Sequence, residues 1–463
     1  MSSWHEKQLA RLSGMVSGSS SSAKVARSGA TAFAIFFVGS GLTYLSQIVI
    51  ARLTGATSYG YYTYALAWIT LLAYVAAFGF DVALLRFVAA YRNQAKWDLL
   101  HGVVRYAERW VLASGGILVV LGTGIVLARG NQIDPELRNT FLFGFPLIPI
   151  LALAWIRCAV LRAHDHVIIP LTSSLLVRDG ILIALVIFAG VGLGLRVDAQ
   201  FAMLALLAGA SIGLGIASLV KRRIQLKPGA GPSAPAYDVA IWQRAAMPLL
   251  VIGAVEVLMN RAGVLCLGWM GETKNAGIFS LAFNIAYLVA IPRTALNTLF
   301  APTVSSLHDS NNHSQLQDLV SKSTLWSLAA ATVVGLGLLA GADLLFSLFG
   351  KDFVSGLPAL RILLFGQVLI AGAGSQLTIL TMTGHERSAA ALIIVSAIVN
   401  VISMFALVYW FGMVGAALAA IGSMIVWNVL MAIFIWRKLN LLPGLLALVA
   451  QSSLFVAMRQ RYG

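Results

Sequence analysis

The chain has 463 residues, of which 59% are apolar and 11% charged, and it carries a formal net charge of +15. That composition excludes an ordinary soluble domain, and the absence of alternating strands of about ten residues excludes a closed membrane barrel. What remains is a chain of apolar runs of about 20 residues, each long enough to cross a bilayer core as a helix that pairs its own backbone.

From the start, residues 1–29 hold Ser19–Ser22 with scattered Lys and Arg but no long apolar segment, and are expected to form a disordered basic cytoplasmic arm with no cleavable leader. Twelve spans follow, at 30–51, 60–85, 110–128, 140–162, 167–190, 199–220, 245–269, 277–301, 324–348, 358–382, 388–410 and 414–436. Tyr59, Tyr61, Tyr62 and Tyr64 read as an interfacial aromatic belt at the start of the second span. A run at 441–458, interrupted by Pro443 and Gly444, reads as an interfacial helix or an extra span. The domain division is therefore a lobe at 30–220, a cytoplasmic linker at 221–240, a lobe at 241–436 and a tail at 437–463.

The basic residues cluster on alternate connections. Lys7, Arg11, Lys24 and Arg27 precede the first span, Arg92, Lys96, Arg105 and Arg109 follow the second, and Lys221, Arg222, Arg223, Lys227 and Arg244 flank the central loop. This bias explains the net charge without nucleic acid, and places both termini in the cytoplasm. Cys158 and Cys266 fall in apolar spans and read as small core residues. His164-Asp165-His166 is too short a turn to close a metal site, and no Gly-Lys-Ser/Thr phosphate loop is present. No cofactor is expected.

The two halves resemble each other. Phe141-Leu-Phe-Gly144 matches Leu363-Leu-Phe-Gly366, His164-Asp165 matches His385-Glu386, Asp179 matches Asn400, and the segment from Gly55 through Gly60 matches that from Gly271 through Gly277. The offset stays near ~220 residues throughout. Two parallel six-helix bundles around a central cavity suit alternating access.

Ionised side chains inside spans cost roughly 2.5 kcal/mol or more and need a reason. Arg178 and Asp179 lie in the fifth span, Glu256, Asn260 and Arg261 in the seventh, and Arg293 in the eighth; Asp81, Arg86 and Arg157 lie nearer span ends. Guanidinium groups stay charged and bind phosphate oxygens through two parallel hydrogen bonds. Arg178, Arg261, Arg293, Arg157, Arg86 and Asn260 are therefore candidates for an anionic head, and Asp179, Glu256 and Asp81 for a coupling ion. The competing reading is that these charges pair to specify helix packing.

Three segments carry a family resemblance. They are Ala51-Arg-Leu-Thr-Gly-Ala-Thr-Ser-Tyr-Gly60, Phe78-Gly-Phe-Asp-Val-Ala-Leu-Leu-Arg86, and Thr383-Gly-His-Glu-Arg387 with Val399-Asn400 and Phe411-Gly-Met-Val-Gly415. Together they resemble the Wzx-type polysaccharide flippases of the multidrug, oligosaccharidyl-lipid and polysaccharide (MOP) exporter superfamily. The resemblance implies an all-α bacterial inner-membrane protein, not an enzyme, that moves undecaprenyl-pyrophosphate-linked oligosaccharide for O-antigen, capsule or exopolysaccharide synthesis. It also implies partnership with a polysaccharide polymerase and a chain-length regulator. Neutral residues through the first span until Arg52 separate the chain from lipid II flippases. A drug or metabolite antiporter on the same fold is the alternative, and an integral-membrane envelope polymerase or ligase ranks below it because the outer loops are short.

Overall fold

The structure, a computed structural model, describes residues 21–164, 166, 168–225, 235–310 and 312–447. Most of the basic arm, Asp165, the middle of the central loop and the end of the 441–458 run lie outside the described residues. Every regular element among the described residues is helical. The principal helices are α1 Ser21–Ala77, α2 Phe80–Asn93, α3 Trp97–Arg129, α4 Pro135–Gly144, α5 Leu147–Ala163, α6 Arg178–Ile187, α7 Ala199–Gln225 and α8 Val239–Trp269. They continue with α9 Thr273–Tyr287, α10 Ile291–Asp309, α11 His313–Ala340, α12 Ala342–Phe349, α13 Leu357–Gly372, α14 Gln376–Met382 and α15 Glu386–Leu439.

Ten helical segments are long and apolar enough to cross a membrane, and two of them, 34–93 and 386–439, cover two expected spans each. Both doubled segments break at a glycine with non-helical backbone, Gly55 (φ 78°) and Gly412 (φ 54°). In α15 the break reverses the chain. Asn400 Nδ2 donates to Ser423 Oγ at 2.6 Å, although 23 residues of straight helix would separate them by roughly 35 Å.

The glycines expose the internal repeat more sharply than the matched motifs do. Gly55, Gly130 and Gly194 follow the first, third and fifth spans, and Gly271, Gly350 and Gly412 follow the seventh, ninth and eleventh. All six have positive φ, a region open to glycine without Cβ strain. Each pairs with its counterpart at a spacing of about 220 residues. The turn geometry is thus duplicated along with the spans.

The chain forms two compact units, Met1–Leu53 with Ile69–Val251, and Thr54–Trp68 with Ile252–Gly463. The first therefore runs past the central loop into α8. After the loop, Ala236 N–H donates to the Asp98 carbonyl at 3.1 Å, and the buried Trp242 indole donates to Tyr91 Oη at 3.0 Å. These contacts tie the loop's end to α2 and α3. Elsewhere in this unit α5 packs on α2, α3 and α7, while α7 also packs on α4 and α6.

In the second unit α13 packs on α9, α11 and α15. A buried cluster at one end joins Phe300, Val304, Leu316, Ile379, Met431 and Ile435. The Gln317 side chain clamps the segment after α15, donating to the Leu442 carbonyl and accepting from its N–H, both at 2.9 Å. That segment leaves α15 at Asn440 (φ 51°) without forming a helix until past Gly444.

Two expectations are corrected. Residues 21–29, read from composition as disordered, are helical and form the start of α1, continuous with the first span. The tyrosines do not form an interfacial belt. Tyr59 and Tyr62 are buried within the second unit, Tyr59 edge-on to Phe353 with ring centroids 5.6 Å apart. Their spacing of three residues puts them on one helix face, with Tyr59 against the turn at 351–356.

Gly60 and Gly277, matched positions of the two halves, touch each other. A Cβ on Gly277 would lie 2.7 Å from Gly60 Cα, and one on Gly60 would strike the Thr273 carbonyl. Gly277→Val is expected to lower stability by about 1–3 kcal/mol through overpacking. Gly124→Ala, in a helical position with nothing within 4 Å, serves as the control. Thermal unfolding in nanodiscs measures both; equal midpoints would contradict the close approach.

Candidate functional site

In the first unit Arg178 and Asp179 form an ion pair. Arg178 Nε donates to Asp179 Oδ1 at 2.6 Å and Nη2 to Oδ2 at 3.0 Å, a two-pronged pair. Thr43 Oγ1, from α1, adds a third bond to Oδ2 at 2.5 Å. The Asp179 side chain is 3% exposed and that of Arg178 27%. Consecutive residues on a helix do not normally face each other; here a π-helical stretch, Thr172–Val177, immediately precedes the pair. Across from it, Gly209 of α7 lies against the Arg178 carbonyl, where a Cβ would not fit.

A second cluster joins α3, α5 and α7. Glu108 accepts from Arg157 Nε at 3.1 Å and from Lys221 Nζ at 2.6 Å, while Arg157 also donates to Ser218 Oγ. Glu108 and Lys221 escaped sequence reasoning because each sits near a span end, where charge is inexpensive. Asp81 lies in the first turn of α2, where backbone N–H groups stand near its carboxylate. Arg86, further along α2, is exposed.

The second unit gathers its polar residues around a cavity of about 240 Å³. Glu256 and Asn260, one turn apart on α8, share its wall with Arg293 and Asn297, one turn apart on α10. Gln367 of α13 and Gln376 at the start of α14 complete the ring of amides. Trp427 and Asn428 of α15 also line it. The shape follows from local breaks: a 3₁₀ turn at 288–290 and Pro292 reorient the eighth span into α10, and Gly374 (φ 77°) separates α13 from α14.

Arg261, one residue beyond Asn260, points to a different side of α8 and interacts electrostatically with the buried Tyr59 and Tyr62. The structure thus brings Glu256, Asn260 and Arg293 together in one cavity and leaves Arg261 outside its lining. Arg178 with Asp179, Arg157, Arg86 and Asp81 belong to the other unit.

Four lining amides, Asn297, Gln367, Gln376 and Asn428, were missed in the sequence. The available signal was spacing: Asn297 stands four residues after Arg293, as Asn260 does after Glu256. Of the lining amides, Asn297 Oδ1 and Gln376 Oε1 are buried without a hydrogen-bond partner among the described residues; away from the cavity Asn400 Oδ1, Ser327 Oγ and Trp110 Nε1 share that state. Gln376 is 4% exposed, and its Nε2 donates to the Ala373 carbonyl at 3.1 Å. An unsatisfied buried acceptor costs about 1–3 kcal/mol, so a native structure keeping two in one wall needs an explanation.

Solved structures share this arrangement of helices. An inward-facing multidrug resistance MATE family transporter of the MOP superfamily superposes with a TM-score of 0.71 at 13% identity, over 91% of this chain and 99% of that one. The lipid II flippase MurJ, in an inward closed conformation, gives 0.62 at 15% identity, over 93% of each. The protein is therefore a multi-pass helical membrane protein with the fold of the MOP superfamily. The family model described as Polysaccharide biosynthesis protein matches residues 25–308, and the chain belongs to that family. Among curated relatives, the probable flippase AglR of Haloferax volcanii is 27% identical over 196 residues. That match spans 40% of this chain and 40% of the relative's length.

The Glu108 cluster is asymmetric, with one carboxylate between two cations. Glu108→Gln is expected to destabilise the protein by about 1–3 kcal/mol, because it leaves two partly buried cations facing each other. Lys221→Met leaves the Arg157–Glu108 pair intact and is expected to cost less. Unfolding midpoints of the two variants compare them directly; a larger loss for Lys221→Met would contradict the assignment.

Proposed function

We propose that this protein is a flippase that moves an undecaprenyl-pyrophosphate-linked oligosaccharide from the inner to the outer leaflet of the bacterial cytoplasmic membrane, for surface polysaccharide synthesis. The observation that carries this reading is a polar cavity among apolar helices, holding Arg293, Glu256 and a ring of amides, in a chain of the polysaccharide biosynthesis family. Such a site binds and releases a polar head without covalent chemistry, so the chain acts as a transporter rather than an enzyme. The name of the relative AglR supports the same class of activity.

Arg293 is the cation that faces the cavity, and serves the anionic head together with Asn260. Arg178, Arg261, Arg157 and Arg86 remain candidates for contacts along the route, although Arg178 and Arg157 already hold carboxylates. For ion coupling, Glu256 is better placed than Asp179 or Asp81. It lines the cavity, whereas Asp179 is fixed by Arg178 and Thr43 and Asp81 stands at its helix N-terminus. Alternating access with both termini in the cytoplasm follows from the duplicated spans and from the distribution of Lys and Arg. A drug antiporter is disfavoured by the same cavity, in which Arg293 offsets Glu256. A polymerase and a chain-length regulator are the expected partners.

Deletion of the gene is expected to accumulate lipid-linked oligosaccharide, seen by mass spectrometry, and to abolish surface polymer. Arg293→Ala should restore export at least about tenfold less well than wild type, equivalent to about 1.4 kcal/mol, and Arg293→Lys partially. Unchanged lipid pools in a strain with no second flippase would contradict the proposal.

A further inference from the structure

Two fully buried oxygens of the second-unit cavity wall lack a partner among the described residues. Asn297 Oδ1 and Gln376 Oε1 are acceptors. The Gln376 amide cannot be turned round to hide its oxygen, because that would aim the oxygen at the Ala373 carbonyl that its Nε2 now contacts at 3.1 Å. An ionised pyrophosphate brings only acceptors, so it satisfies neither oxygen. A sugar brings hydroxyl groups that donate and accept at once, and acetamido groups that donate through N–H. A metal cation would also satisfy carbonyl oxygens, but the Arg293 guanidinium in the same cavity opposes it.

The rest of the wall suits a carbohydrate. Gln367 and Asn428 add amide groups, and Glu256 adds a carboxylate acceptor. Trp427 lines the same cavity, with its indole N–H held by Met431 Sδ at 2.9 Å, so the ring is fixed in place. A fixed aromatic face offers apolar contact to the C–H face of a sugar ring. The cavity volume, about 240 Å³, lies at the small end for ligand sites, which are roughly 300–1,000 Å³. It fits part of an oligosaccharide rather than a whole repeat unit.

We infer that this cavity is a sugar-reading subsite, in which Gln376 and Asn297 accept hydrogen bonds from hydroxyl or acetamido groups of the lipid-linked head and thereby set its specificity. The inference rests on the flippase reading above. Within one cavity it separates sugar recognition, by Gln376 and Asn297, from the contacts that Arg293 and Asn260 make to the anionic head.

Binding in nanodiscs tests it with two probes: undecaprenyl pyrophosphate, and the lipid-linked oligosaccharide purified from the deletion strain. Gln376→Leu and Asn297→Leu should each weaken binding of the sugar-bearing lipid about tenfold and leave the bare pyrophosphate lipid unchanged, which also shows that the variants fold. Asn297→Asp keeps an acceptor oxygen and should recover much of the loss that Asn297→Leu causes. Equal loss on both lipids, no loss on either, or equal wild-type affinity for the two would overturn the inference while sparing the flippase reading. A sodium-dependent rise in thermal midpoint that Gln376→Leu removes would also overturn it, by making the cavity a cation site. Binding of neither lipid by the wild type would overturn the flippase reading as well.

Discussion

Hydrocarbon offers no hydrogen bonds, and that one constraint orders most of this molecule. Each backbone N–H and C=O crossing the bilayer must be paired within its own segment, so the chain is helical wherever it spans. After each odd-numbered span of both halves it turns at a glycine with positive φ. Even the two segments that run as single long helices give way at such a residue, Gly55 in one and Gly412 in the other. The close contact of Gly60 with Gly277 follows the same logic: without side chains between them, two helices approach to backbone distance.

Polar side chains obey the constraint in two ways. In the first unit, Arg178 is matched to Asp179, and Arg157 and Lys221 share Glu108, so buried charge is paired rather than left alone. In the second unit, the polar groups are gathered around open space, and two of their acceptors are left without partners. A structural role explains the first pattern fully. The second is intelligible when a polar ligand completes it, and a transported head group is such a ligand. Asp179 and Asn400, matched positions of the repeat, show the divergence: both are buried, yet one anchors a guanidinium and the other bonds a neighbouring serine.

Much of the fold was legible in the sequence because apolar length is a strong signal. The spans, the all-helical class and the family resemblance follow from it, and from a few motifs around Gly60, Arg86 and His385. The site was legible only where residues carry charge. Glu256 and Arg293 stand out in an apolar run, but Gln367 and Gln376 do not, since neutral amides are common in helices and announce nothing about the face they occupy. Arg261 shows the reverse failure. Its charge drew notice, but the sequence could not show that Tyr59 and Tyr62, some 200 residues earlier, are buried beside it. Those tyrosines suggested an interface because amphipathic rings favour one; Tyr59 instead packs through a long-range contact with Phe353.

The most direct test of the account is leaflet exchange itself. The purified protein, reconstituted into liposomes bearing the lipid-linked oligosaccharide in both leaflets, is treated from outside with a glycosidase that cannot cross the membrane. A flippase lets the enzyme reach the whole pool, and the account predicts digestion beyond the half already facing outward. Digestion that stops at that half, in vesicles shown to contain folded protein and supplied with a proton or sodium gradient of either direction, would contradict it.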